Sequence, residues 1–567
     1  IVAGGLWLGF GRGSTGSMGS DQVVAVLPFE HIGPEDEAYV TQGIGNEVSN
    51  SISGIGGISV ISRASAVQFN RQTPLAEVKR ELNADFVVRG SVQTNRQADG
   101  GTEVRLSTQL INVADGRELY SDTLTASLNS EILFKIQQQI ARRVADALTL
   151  TLRPQTLEAL RQGQTTNPEA YRAYLQGSIH AAHFLVLPEQ QMAIQFFTQA
   201  TTLDPGFALA WARLAQLEAV YYGLYDRTPT RQAKVEDAVR RADSLRPRDP
   251  ETAIARGYQA AFLKRDRDLA MREFAVARNA LPNGPELLWA IGFVHRSRGD
   301  VDSAFASFSE AARLDPRSPM VTFETAVAAF LLRRYEAAAA LLARAAAIAP
   351  EWPVAPLGLA NLRLHQGDFE SARAALDPLL AAAPVLTPIL VGDPLYRPLW
   401  ELALPAAFQE ALGALTLANH LVDSGGYYYH KGRLRIRQRR PVDARPYFDS
   451  LRVLQQRRLG DRAPAFDALI DLAAASIELG DRPAAIRYLD TLLVRDPMAE
   501  DAFRGSFALV EAARLLTRLG LHERAIVLLT RLLSLPTPAS PGLLRADPAF
   551  APLTRQPGFQ ELLRGPP

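Results

Sequence analysis

Hydrophobic and polar positions follow two different periods along this chain, and the change between them divides it. From about residue 22 to 152, strand-like and helix-like patterns are mixed. Val23-Val24-Ala25-Val26-Leu27 is a continuous apolar run closed by Pro28, the pattern of a strand covered on both faces. From Glu35 to Ser53, Tyr39, Val40, Ile44, Val48 and Ile52 recur at helical spacing. Gly57-Ile58-Ser59-Val60-Ile61 predicts a second strand, and Pro74 to Leu82 a helix with proline near its start. Asp85–Thr94 and Glu103–Val113 predict long strands joined by a turn at Ala98-Asp99-Gly100-Gly101. Val104, Leu106, Thr108 and Leu110 alternate there with Arg105, Ser107 and Gln109, which leaves one face wet. Glu118 to Ala126 is a further strand, and Ser130 to Leu152 a closing helix carrying Ile132, Ile136, Ile140, Val144 and Leu148 on one side. The order predicts one small α/β sandwich.

From about 168 to 536 only the helical period survives, and it sits inside a longer one. Pro282, Pro316, Pro350 and Pro384 are 34 residues apart. Ala270, Ala304, Ala338 and Ala372 precede them by twelve positions, with Phe274, Phe308, Leu342 and Leu376 four positions after each alanine. This is the length and pattern of tetratricopeptide repeats, in which small residues let paired helices approach and a bulky one fills the gap beside them. Looser copies surround Ala193 and Phe197 (after a longer loop through Leu187-Pro188), Trp211 and Ala242, Ala444 and Phe448, Ala485 and Leu489, and Ala525. The predicted class is therefore a small α/β sandwich followed by a right-handed α-solenoid of about eight or nine helix pairs. At 384–426 the period breaks, and an irregular pair, a bend and a partner-binding insertion all remain open. The residues from 537 to 567 read as a cap over the last apolar face.

Composition narrows the function classes. Of 567 residues, 61 are basic and 60 acidic, a net charge of +1 that excludes nucleic-acid binding by bulk charge. A hydrophobic share of 47% with 21% charged residues places the chain among folded proteins. Cysteine is absent, which removes disulfides, thiolate nucleophiles and sulfur-held metals or haem. No cofactor is expected.

The first eleven residues, Ile1 to Gly11, are too few to span a bilayer, which takes about 20. Trp7 and Phe10 before the polar switch at Arg12 fit the end of a membrane anchor; a frayed apolar arm is the alternative. Residues 12–21 read as a Gly/Ser linker and 153–167 as a second linker. Gly9 to Ser17 looks like a phosphate-binding glycine loop, but more Gly and Ser and then a strand follow it, where such a loop needs a helix.

Val24-Ala25-Val26-Leu27-Pro28-Phe29, Gly43-Ile44 with Glu47, Ile61-Ser62-Arg63, Phe69 and Leu82-Asn83-Ala84-Asp85-Phe86-Val87-Val88-Arg89-Gly90-Ser91-Val92 resemble the bacterial TolB-like amino-terminal domain. So do Gln109-Leu110-Ile111-Asn112 and Asp115-Gly116-Arg117-Glu118-Leu119, and the resemblance runs in order through 22–152. It implies an extracytoplasmic, interaction-type domain without catalytic residues, of the kind that often follows a single membrane span and precedes tetratricopeptide repeats. Many such chains begin with a cytoplasmic kinase or a winged helix.

Few residues suggest chemistry. His180 and His183 lie three apart on a predicted helix, but no carboxylate follows at helical spacing, since Glu189 comes after Pro188. Tyr427-Tyr428-Tyr429-His430-Lys431 with Arg433, Arg435, Arg437, Arg439 and Arg440 offers stacking and charge for an anion, or else one solvated helix face. Projection of the 34-residue register puts Trp289, Phe293, Arg296, Phe323, Phe330, Asn361 and His365 on the concave face, where a solenoid meets protein partners. The expectation is a non-enzymatic scaffold anchored in a bacterial inner membrane with its bulk in the periplasm. It would serve as the sensory arm of a signalling protein or as an accessory subunit of an integral membrane complex. An enzyme with a site at the domain junction and a cytoplasmic regulator are the rivals.

Overall fold

The computed structural model describes residues 22–97 (54 and 56 aside), 102–127, 130–150, 165–181, 187–224, 228–281, 284–390, 405–417, 424–461 and 466–564, with 226, 399, 402 and 403. The anchor and linker read at 1–21, the turn at 98–101 and most of the second linker fall outside them. Contacts divide the chain into two units, 1–179 with 280–283 and 180–279 with 284–567.

In the first unit, strands β1 (Gln22–Val26), β2 (Glu30–Ile32), β3 (Ile58–Val60), β4 (Phe86–Arg96), β5 (Thr102–Asn112) and β6 (Glu118–Ser127) form one mixed sheet. Its order is β3-β1-β4-β5-β6, with β2 also against β4. β1 lies parallel to β3 and β4, whereas β4, β5 and β6 are antiparallel. The unbroken apolar run of β1 is explained by cover on both sides. Val23, Ala25 and Leu27 join the core containing Ala66, Val78 and Leu82 of helices α2 (Arg63–Ala66) and α3 (Leu75–Leu82). Val24 and Val26 are buried too, and α1 (Ala38–Ser53) contributes buried Val40, Ile44, Val48 and Ile52. Helix α4 (Ser130–Ala147) packs on α1 with Ile140 and Val144 buried. β2, three residues long, was not readable from any alternation.

The second unit is built of antiparallel helix pairs, among them 285–298 with 301–314, 319–331 with 335–348, 424–437 with 441–461 and 502–518 with 522–533. Ala270, Ala304, Ala338 and Ala372 are fully buried, as are Phe274 and Phe308. A glycine completes the joint. A Cβ on Gly292 would stand 2.7 Å from the Phe308 ring, and one on Gly432 2.7 Å from that of Phe448. The aromatic fills the space left by the missing side chain on the first helix. Substituting Gly432→Val overfills that joint, and urea denaturation is expected to show a loss of about 1–3 kcal/mol.

The turn within several of the described pairs carries one left-handed residue before the second helix. Gly299, Gly367 and Gly480 supply it at φ 85°, 85° and 83°. Asp300, Asp368 and Asp481 follow and cap the next helix, accepting from the backbone N–H of Ser303, Ser371 and Ala484. Arg439 stands in the same left-handed conformation at φ 58°, where an L side chain is strained. Arg439→Gly is therefore expected to raise stability by up to about 1 kcal/mol in the same measurement.

Residues 187–203 are one helix, so Leu187-Pro188, expected within a loop, form its first residues. In the irregular stretch, helices 383–390 and 406–414 pack on each other, and Leu386, Phe408 and Leu412 enter the main apolar core. The carboxy-terminal segment buries Phe550 and Phe559.

Candidate functional site

The residues projected onto the concave face lie inside the second unit. Trp289 stacks on Phe293 at 5.7 Å, and Phe293 on Phe262 of the preceding pair at 4.8 Å. Phe323 meets Trp352 edge-on at 5.7 Å, and Phe330 meets His365 at 4.9 Å. All seven except Phe293 are buried.

Arg296 and His365 face the carboxy-terminal part of the chain, and Phe330 and Asn361 touch His365. Helix 285–298 packs on helix 502–518, and helix 354–366 on helix 541–546. Arg296 pairs with Glu324, and its guanidinium carbon stands 4.1 Å from the centre of the Phe503 ring. A buried guanidinium on an aromatic face combines charge and stacking. Arg333 reaches across with one Nη2, donating to the carbonyls of Leu533 at 2.9 Å and Leu535 at 3.1 Å. Arg267 donates to Ser297 Oγ and to the carbonyl of Glu500. The Ser540 hydroxyl donates to the carbonyl of His365 while accepting from the N–H of Leu543. Gly542 allows that approach, since a Cβ there would lie 2.6 Å from the His365 oxygen. The array thus closes on itself along a seam.

His365 is the most perturbed group in this seam. Its Nδ1 donates to the carbonyl of Asn361 at 2.7 Å, one turn back. Its Nε2 and the Asn361 Oδ1 have no hydrogen-bond partner among the described residues. Burial, with the nearby Arg514 charge adding to it, pulls the imidazole down to about 4. Arg514 itself is buried between two carboxylates. Its Nε donates to Asp547 at 2.5 Å and its Nη1 to Glu511 at 3.2 Å, and Glu511 also accepts from the Tyr429 hydroxyl.

Two sequence readings change. His180 meets a carboxylate that is not at helical spacing on its own helix: Glu189, from helix 187–203, lies 2.7 Å from His180 Nδ1. His183 falls outside the described residues. The basic stretch is not one solvated face, since Tyr427, Tyr429, His430 and Lys431 are buried. Lys431 caps a helix end by donating to the carbonyls of Leu412 and Gly413, and its burial holds the ammonium below its ordinary range. Arg433 pairs with Glu478.

Comparison with known proteins agrees with the repeat architecture. Residues 290–353 and 329–386 each match a tetratricopeptide repeat family. The carboxy-terminal half carries tetratricopeptide repeats. Over 194 residues the chain is 27% identical to a putative adenylate cyclase 3 of Rhizobium meliloti (strain 1021), a match covering 34% of this chain and 32% of that protein. The chain spans about a third of the length of that curated relative. Among solved structures, human IFIT1 with m7Gppp-AAAA aligns at 14% identity and a TM-score of 0.35, over 64% of this chain and 81% of that one. PilF of Pseudomonas aeruginosa aligns at 19% identity and a TM-score of 0.30, over 41% of this chain and 97% of that one. No helix among the described residues is long and apolar enough to cross a membrane.

Proposed function

We propose that this chain is the non-catalytic, partner-binding part of a membrane-anchored bacterial signalling protein. Its tetratricopeptide array holds protein partners, and its mixed-sheet domain, of TolB-like type, lies near the membrane on the extracytoplasmic side. The observation that carries the reading is the run of repeats in one register, with buried Ala304-Phe308 and Ala338-Leu342 joints inside segments matching the tetratricopeptide family. Such arrays present extended surfaces to other proteins. The sensory-arm version is favoured over the accessory subunit by the relative named as an adenylate cyclase, most of whose length lies beyond the match.

Cross-linking and mass spectrometry on native membranes tests this directly. The expected result is recovery in the membrane fraction with inter-protein cross-links on residues of the array. Recovery as a free soluble chain with intrachain cross-links alone contradicts it. Cyclase activity from the purified 567-residue chain would place catalysis within it and overturn the non-catalytic assignment.

A further inference from the structure

A half-open cavity of about 300 Å3 lies along the seam, at the small end of the range for ligand sites. Its wall brings together three parts of the array that are far apart in sequence. Arg296 and Arg298 come from the end of helix 285–298, Asp496 from the residue after helix 482–495, Met498 from the short helix 497–500, Phe503 from helix 502–518, and Arg531 from helix 522–533.

The wall is amphipathic, with Met498 and Phe503 supplying apolar surface beside three guanidinium groups. Among the described residues, Arg296 Nη1 engages Glu324, Arg298 Nη2 engages Asp268, and Arg531 Nη2 engages both oxygens of Asp496. Asp496 is the one carboxylate among the described residues of the lining and is already paired. Glu324 and Asp268 are not part of the lining. A guanidinium carries five N–H donors in a planar fork, so each retains donor capacity beyond its present bond. The fork matches the two oxygens of a carboxylate.

We propose that this cavity is a binding site for a small organic acid, an apolar body bearing one carboxylate. Its body lies against Phe503 and Met498 and its carboxylate is held by the arginine forks. An occupant touches both sides of the seam and so stabilises the closed array by mass action.

Met498 is one of only five methionines, which gives a reporter in the wall itself. The probes are octanoate and benzoate, with octanamide as the uncharged control, titrated into the full chain carrying 13C-methyl methionine. The Met498 resonance, assigned with Met498→Leu, is expected to shift saturably with the acids and not with the amide. Ala499 also lines the cavity and is exposed, so Ala499→Phe fills it without disturbing the core and is expected to abolish the shift. Arg531→Gln is expected to weaken binding by about tenfold. Circular dichroism establishes that both variants fold. The proposal is overturned if neither acid shifts Met498 saturably, if octanamide binds as tightly, or if Ala499→Phe leaves binding unchanged.

Discussion

Arg514→Met is expected to destabilise the array by about 3–5 kcal/mol, the cost of removing one partner from a buried ion pair. The methionine leaves Asp547 and Glu511 facing each other with no counter-charge, both buried. Asp547 is also the cap of the turn that follows, accepting from the N–H of Ala549, so the loss spreads into the segment burying Phe550. One outcome identifies this cause: Asp547→Asn added to Arg514→Met should recover part of the loss. Urea denaturation of the single and double variants at pH 7 measures it. A change below 1 kcal/mol would mean that the triad is wetter than its burial indicates.

The second large effect concerns pH. His365 has its folded-state value pulled down to about 4 from 6.5, so the folded protein keeps it neutral where the unfolded chain takes up a proton. Its contribution is fully present above 6.5 and falls as the pH drops toward 4, by about 3 kcal/mol in all. Protonation would place a cation beside Arg514 with no acceptor on Nε2. His365→Gln keeps a polar side chain but cannot titrate, so the difference between wild type and variant isolates the imidazole. The difference in unfolding free energy should change by about 1.4 kcal/mol per pH unit between 6 and 4.5. Parallel curves in that range would show that His365 titrates as an ordinary histidine.

The fold was largely legible because its determinants are local and periodic. A buried alanine and a large side chain four positions on, repeated every 34 residues, are direct consequences of helices meeting at a tight joint, as Ala304 and Phe308 do. The alternation in β5 likewise reported its wet face. A further signal could have been read and was missed. Gly299-Asp300, Gly367-Asp368 and Gly480-Asp481 mark the turn inside three of the pairs by a left-handed glycine and a capping aspartate.

The seam was not legible. Where residues 496–547 meet residues 267–367 depends on small rotations accumulated over several pairs, and no local pattern encodes that sum. The 34-residue register projected Arg296, Phe330, Asn361 and His365 onto one face, but could not show that Phe503 of the same chain would reach Arg296, or Ser540 and Gly542 reach His365. The lysine of the tyrosine-rich stretch was unreadable for a similar reason. Its carbonyl partners, on Leu412 and Gly413, lie across the irregular stretch where the period fails.

Closure of the array on itself is tested most directly by a disulfide across the seam. A Cβ on Gly299 would lie 3.1 Å from that of Ala502, a few tenths of an ångström inside the separation a disulfide takes, and the chain has no cysteine to interfere. In the Gly299→Cys/Ala502→Cys variant, mild oxidation should form the bond in the monomer and raise the melting temperature above that of the same variant reduced, since both forms share the strain of an L side chain at φ 85°. Two thiols that stay fully titratable under oxidising conditions, in a protein that is otherwise folded, would show that residues 299 and 502 do not meet and that the inner face is open.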